Sequence, residues 1–458
     1  MNENPADLAP ELCVLLAAAL GLVHGLFLPR DRQGRVAVTC AAGLAAGFAA
    51  AAVAASRPAL TAFDAFAVDP ITHVTRLAVL GTTLGAVALA AGGVRGHPRE
   101  SEHHVLMLLA ALGTMLLGAS TDLLVLAAAY LLASVPAYAL AGFGRDAPGT
   151  EAALKYYLMG ALLGVAMLGG VTLLYGVGRG TSYAVLQEGL GAAPAAAVAA
   201  GAVALLAGPL FKAGAVPGHF WVPDVAEGAP RAVAAFVTTV PKIGAFAALY
   251  RIGAQALPPG AAGWPALAGT VAAATMTLGN LAAFGQDNVR RLLAYSTIGQ
   301  AGFLLVPVAM AGRGDLARPA LLFYVAAYAV TNLGAFAVVV ATGRDELSGY
   351  TGLLRDAPLL GGSLTVCLLG FVGTPPTAVF VGKVLMFGAA LDGGQVWLAV
   401  VAALNTVASV FYYLRWIVPL FGRPDGPFRP ARGPAAVAVT AAALSLALGT
   451  GAGAVLAR

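Results

Sequence analysis

Pro209-Leu-Phe-Lys-Ala-Gly-Ala-Val-Pro217 sets one lysine between two prolines, inside an apolar window that runs from about 193 to 216. Proline lacks a backbone N–H and its ring clashes with the carbonyl four residues back, so a helix does not pass through this stretch intact. In a bilayer the freed backbone groups must meet protein or water, which puts such a break beside a polar cavity and not against lipid. The pattern returns in Gly370-Phe-Val-Gly-Thr-Pro-Pro376, which precedes Lys383 within an over-long apolar stretch from about 357 to 391. Two interrupted helices are expected, each with a lysine at its break.

Working outward, the chain is 59% hydrophobic and 10% charged, against about 25% charged residues in a soluble domain. It reads as an integral membrane protein. Fourteen apolar windows approach the ~20-residue spanning length, and the interrupted ones are the seventh and the twelfth. Because these lie five apart, helices four to eight and nine to thirteen are expected to form two repeats, and an odd number of crossings turns the second upside down relative to the first. The expected fold is an all-α polytopic membrane protein of about 14 transmembrane helices, with two inverted five-helix repeats and broken helices seven and twelve. One membrane domain covers 1–458: three N-terminal helices in 1–103, a first repeat in 104–251, a second in 262–421 and a C-terminal helix in 434–458. Arginines concentrate in alternate loops, which under the positive-inside rule places the N-terminus outside.

The net charge of +5 forms no basic stripe, so nucleic acid is excluded as a partner. Cys13, Cys40 and Cys367 stand singly in apolar runs, and His97, His103 and His104 lack further ligands, so no metal site is expected. Iron–sulfur cysteine clusters, a dinucleotide fingerprint and a phosphate loop are all missing from the sequence. Electron transfer and cofactor binding are therefore not expected of this chain.

Only four lysines occur among the 26 basic residues: Lys155, Lys212, Lys242 and Lys383. Guanidinium stays protonated in proteins, whereas a desolvated ammonium can release its proton near neutral pH. A charge deep in a membrane helix costs about 2.5–3.5 kcal/mol on insertion scales, which argues against accident at Lys212 and Lys242. All four are candidate proton carriers. Lys155 also has Glu151 four residues earlier, the spacing of an ordinary surface pair. His219, just beyond the break, is a further candidate relay because imidazole titrates near pH 6.5. Asp224 and Glu227 read as caps of neighbouring helices, and Arg290 and Arg291 as topological anchors.

Phe211-Lys-Ala-Gly-Ala-Val-Pro-Gly-His-Phe-Trp-Val-Pro-Asp-Val-Ala-Glu-Gly-Ala-Pro230 resembles subunit N of bacterial NADH-quinone oxidoreductase (respiratory complex I), one of three antiporter-like membrane proteins of that complex, related to mitochondrial NADH dehydrogenase chain 2. The resemblance continues through Glu151-Ala-Ala-Leu-Lys-Tyr156, Val240-Pro-Lys-Ile-Gly-Ala-Phe246, Asn288-Val-Arg-Arg-Leu-Leu-Ala-Tyr-Ser-Thr-Ile298 and Gly373-Thr-Pro-Pro-Thr-Ala-Val-Phe-Val-Gly-Lys383. It implies a hydrated axis through Lys155, Lys212, Lys242 and Lys383, and proton translocation coupled to quinone reduction elsewhere in the complex. NADH, flavin, iron–sulfur clusters and quinone are implied for other subunits. The implied partners are the neighbouring antiporter-like subunits and the lipid of a bacterial inner (plasma) membrane. Two departures stand out. The family's fifth-helix glutamate, five residues before the proline of a Ser-Leu-Pro segment and paired with the seventh-helix lysine, corresponds to Leu131, with Tyr130 beside it; a tenth-helix histidine corresponds to Gln300. They motivate two alternatives: a non-pumping structural paralogue of the membrane arm, and a subunit of a related cation/proton antiporter.

Overall fold

The computed structural model describes residues 4–258, 263–423 and 426–456. The outermost expected residues, 1–3 and 457–458, and the start of the second expected repeat at 262 lie outside the described residues. The helices run in the order α1 (Ala9–Phe27), α2 (Gly34–Ala54), α3 (Pro70–Gly93), α4 (Glu100–Ala119), α5 (Leu123–Ala141), α6 (Ala147–Gly178) and α7 (Tyr183–Gly189). There follow α8 (Ala195–Ala213), α9 (Trp221–Gly228), α10 (Arg231–Arg251), α11 (Trp264–Ala283), α12 (Val289–Ala309) and α13 (Ala317–Thr342). The chain ends with α14 (Leu353–Asp356), α15 (Pro358–Val372), α16 (Ala378–Asp392), α17 (Val396–Leu420), α18 (Arg432–Thr450) and α19 (Ala452–Leu456).

Among the described residues, 13 helices are long and apolar enough to cross a membrane. The remaining expected crossing, the twelfth, falls on two pieces, α15 and α16, of 15 residues each. At about 1.5 Å per residue neither half spans a ~30 Å hydrocarbon core alone, but together they do. Both expected breaks are present, after α8 and between α15 and α16. The all-α expectation missed one small feature, an antiparallel hairpin of β1 (Leu60–Ala62) and β2 (Phe66–Val68), with Leu60 opposite Val68. Its turn uses Phe63 and Asp64 in left-handed conformation.

Helices α10, α12 and α13 are buried along nearly their whole apolar length, whereas α1, α2, α6, α17 and α18 turn more than half of theirs outward. The centre is therefore built on the helices that carry the polar residues described below. Small residues let helices meet at the backbone, as where Gly170 of α6 faces the main chain of Leu205 in α8, a mode of packing common between membrane helices.

Packing within 104–251 is matched in 262–421: α4 lies on α5 as α11 lies on α12, and α6 lies on α8 as α13 lies on α15 and α16. A main-chain clasp also occurs twice. At the start of α5, the Leu123 N–H donates to the Thr181 carbonyl (2.9 Å) and the Tyr183 N–H to that of Thr121 (2.8 Å). At the start of α12, the Val289 N–H donates to the Asp345 carbonyl (2.7 Å) and the Leu347 N–H to that of Asp287 (3.0 Å). Each clasp encloses a helix cap, with Asp122 accepting from the N–H groups of Leu124 and Val125, and Asn288 from those of Arg290 and Arg291.

Two buried ion pairs fasten the N-terminal helices. Arg76 of α3 donates through Nε and Nη2 to Glu11 of α1 at 2.7 and 2.8 Å. Arg251, at the end of α10, holds Asp69 at 2.6 and 2.9 Å and also donates to the Gly118 carbonyl at 2.8 Å. Asp69 caps α3 through the Thr72 N–H. Burial opposes its ionisation, but the hydrogen bonds and charge of Arg251, with the N–H groups of Thr72 and Ile71, outweigh that and hold its carboxyl below the usual range.

Candidate functional site

The first break follows from Gly214. Helix α8 ends at Ala213, and Gly214 adopts φ +67°, the left-handed closing conformation that glycine accepts without strain. The chain turns through Pro217 and resumes as α9. Lys212, in the last turn of α8, is fully buried. Its Nζ donates to the Ala133 carbonyl of α5 at 3.0 Å. Pro136, inside α5, lacks the N–H that would bond back up the helix, which leaves a carbonyl in that region open to other donors. Three tyrosine rings surround the ammonium: Tyr130 at 5.6 Å, Tyr138 at 5.7 Å and Tyr156 at 5.8 Å from Nζ to ring centre. Among the described residues no carboxylate pairs with Lys212, Lys242 or Lys383.

Lys242 of α10 approaches the same break. A β-carbon at Gly214 would lie 3.1 Å from the Lys242 Nζ, so glycine is needed there for space as well as for φ. The ammonium donates to both the carbonyl and the hydroxyl of Thr297 on α12, each at 3.1 Å.

The second break repeats the arrangement. Helix α15 closes on Gly373 at φ +90°, and a β-carbon there would press on the Lys383 side chain at 2.8 Å. Lys383 reaches back from α16 to the carbonyl of Val372, the last residue of α15, at 3.0 Å. It also contacts the Thr406 hydroxyl at 3.4 Å and lies 4.3 Å from the centre of the Phe303 ring. A helix C-terminus carries partial negative charge, so its free carbonyls suit an ammonium.

Hydroxyls and amides extend between the lysines. Tyr328 donates to the Thr238 carbonyl at 2.8 Å, and the Asn332 amide donates to the hydroxyls of Thr238 and Thr239 at 3.2 and 2.7 Å. Gln300 of α12 donates to the Phe371 carbonyl of the broken α15 at 3.0 Å and accepts from Tyr324 at 2.7 Å. Gln300 thus ties the central helix to the second break.

The other expected site residues fall differently. Lys155 is 46% exposed, held by Glu151 at 2.7 Å and Asp224 at 2.8 Å; the pair with Glu151 has the spacing read from the sequence, and of the four candidate carriers Lys212, Lys242 and Lys383 are the buried ones. Asp224 and Glu227, read as helix caps, instead pair with Arg291 at 3.3 and 2.8 Å. Arg290 and Arg231 share Asp345. His219 is half-buried beside Phe220, its Nδ1 without a hydrogen-bond partner. Leu131 is half exposed on the outer face of α5, while its neighbour Tyr130 is buried against Lys212. One residue along a helix is a turn of about 100°, enough to carry a side chain from the inner face to the outer one. Sequence reading missed the tyrosines, because a tyrosine in an apolar helix reads as core; their spacing of eight, Tyr130 to Tyr138, was the available signal.

The sequence profile of the family described as NADH:quinone oxidoreductase/Mrp antiporter, TM matches residues 120–409. The chain belongs to this family. It is 53% identical to NADH-quinone oxidoreductase subunit N 1 of Streptomyces griseus, over 100% of this chain and 98% of that one. It is 49% identical to NADH-quinone oxidoreductase subunit N of Mycobacterium sp. strain JLS, over 92% and 90%. A chain of respiratory complex I from Thermus thermophilus superposes with a TM-score of 0.86 at 35% identity, covering 98% of this chain and 99% of that chain. A chain of the Mrp complex from Dietzia sp. shares the fold, with a TM-score of 0.86 at 23% identity over 99% and 95%. Within the family this chain is an NADH-quinone oxidoreductase subunit N relative, a multi-pass membrane subunit.

Proposed function

We propose that the chain is a proton-translocating subunit in the membrane arm of a complex I-type NADH-quinone oxidoreductase of a bacterial plasma membrane. The observation that carries this reading is the placement of Lys212, Lys242 and Lys383, all buried, all at or beside a helix break, and none held by a carboxylate among the described residues. An ammonium bonded only to neutral oxygens has less to hold its proton than one in an ion pair. Redox work in other subunits, which carry NADH, flavin, iron–sulfur clusters and quinone, shifts the charge at one end, and neighbouring ammonium groups respond in turn. Lys212 acts as the gate, Lys242 as the central relay and Lys383 as the outlet. Lys155 and its acidic neighbours form the polar rim that supplies the gate, with His219 as a further relay beyond the break. The matched packing and clasps support two five-helix repeats within one membrane domain, inverted so that each contributes one break.

The outward apolar residues of α5 and α6, among them Leu124, Leu131, Leu158 and Val165, face lipid or the adjoining membrane subunits. Lys242→Met in the intact complex tests the function. Quinone-coupled proton pumping in membrane vesicles is expected to fall sharply while NADH oxidation by an artificial acceptor persists; unchanged pumping refutes the relay.

A further inference from the structure

We infer that the charge on Lys212 is stabilised by a cage of aromatic rings, Tyr130, Tyr138 and Tyr156, in the role that a carboxylate counter-ion serves in an ion pair. The inference rests on the proposed proton-carrying role of Lys212 and specifies how its charged state is held.

All three ring centres lie within 6 Å of Nζ, the range over which a ring's negative face attracts a cation, with more effect once water is removed. Lys212 itself has no accessible surface. Each ring is fixed from behind. Tyr156 stacks on Trp221 at 4.2 Å with 18° between planes and meets Tyr138 edge-on at 4.7 Å. The Tyr130 hydroxyl donates to the Gly160 carbonyl at 2.9 Å. Room for the rings comes from α6, where a β-carbon at Gly160 would collide with the Tyr138 hydroxyl and one at Gly164 would lie 3.1 Å from the Tyr130 ring. The Tyr156 hydroxyl is buried without a hydrogen-bond partner. Its position is thus not set by hydrogen bonding; it is set by what the ring face meets.

The titratable groups turned toward Lys212 are Tyr130 and Tyr138 from α5 and Tyr156 from α6, with Lys242 approaching from α10 at Gly214. None supplies a negative charge near neutral pH, because a phenol ionises near pH 10. The rings are therefore positioning groups acting on the Lys212 ammonium. They stabilise the charged form less than a carboxylate would, which keeps the proton exchangeable.

The test is the pH dependence of the proton-to-electron ratio in vesicles containing the complete complex. Tyr156→Phe keeps the ring and is expected to retain the wild-type profile. Tyr156→Leu removes the ring, and the alkaline limb is expected about one pH unit lower, the shift that follows from losing one desolvated ring. Should Tyr156→Leu fail to assemble, mono-, di- and trifluorophenylalanine at position 156 keep the shape while draining the ring face of charge; a stepwise fall of the limb is expected. A Leu variant or fluorinated series identical to wild type overturns the cage. So does a Phe variant as impaired as the Leu variant, which would assign the effect to the hydroxyl. Lys212→Met reports separately on the underlying function: if pumping survives it, the proton-carrying reading of Lys212 fails, whatever the rings do.

Discussion

Gly214→Ala probes the first break without replacing any lysine. Two costs are expected. The left-handed backbone at φ +67° costs a non-glycine residue about 1–2 kcal/mol. The new methyl would also sit 2.9 Å from Val222 Cγ2 and 3.1 Å from the Lys242 Nζ, so both must yield by several tenths of an ångström. A control separates the two, because Gly343 has φ +66° with nothing within 4 Å of an added β-carbon. Gly343→Ala carries the backbone cost alone. If a 1 Å misplacement of a reacting group costs on the order of 100-fold, a shift of a few tenths of an ångström at Lys242 costs roughly 2- to 5-fold in rate. The assay compares initial rates of quinone-coupled acidification in vesicles carrying each variant, normalised to assembled complex. Gly214→Ala is expected to slow pumping several-fold while Gly343→Ala stays near wild type. Equal rates would refute the claim that the first break seats the Lys242 ammonium.

Other outcomes follow from the same geometry. Asp69→Ala leaves the fully buried Arg251 unpaired, a loss of about 3–5 kcal/mol, read as a lower midpoint in thermal unfolding of the purified complex. Because the folded-state carboxyl of Asp69 is held below its ordinary value, its stabilisation is full above pH ~4, the usual unfolded-state value, and is lost as pH falls through the lower folded-state value; acid unfolding of Asp69→Asn should lack that step. Gln300→Leu strands the Phe371 carbonyl and the Tyr324 hydroxyl, at about 1–3 kcal/mol for each buried group left unsatisfied, measurable in the same unfolding experiment. Leu131→Glu, despite restoring the residue type that the family resemblance places there, points away from Lys212. It should leave the proton-to-electron ratio and its pH profile unchanged, and a raised ratio would show that the side chain turns inward.

The broken helices were legible because proline and glycine act locally: Gly214 and Pro217, and Gly373, Pro375 and Pro376, stand at the interruptions, although α8 runs through Pro209. Lys212, Lys242 and Lys383 were legible because a charge in an apolar helix is costly enough to demand a reason. For Lys155, Glu151 was visible one turn away, but its second partner, Asp224, stands 69 residues along the chain. The same distance problem concealed Glu11 behind Arg76, 65 residues apart, and Asp345 behind Arg231. Which face of α5 meets Lys212 depends on helix rotation, and with apolar residues on nearly every side of α5, the sequence carries little amphipathic signal to set it.

The paired clasps at the starts of α5 and α12 consist of peptide groups alone, so side-chain drift at Thr181 or Asp345 leaves their bonds in place. Sliding α6 or α13 lengthwise past its neighbour would require breaking those bonds at the rim of the bundle. Under the proposed function, motion that accompanies charge transfer is thereby channelled into rotamer changes and flexing at Gly214 and Gly373, with the long helices as a stationary frame.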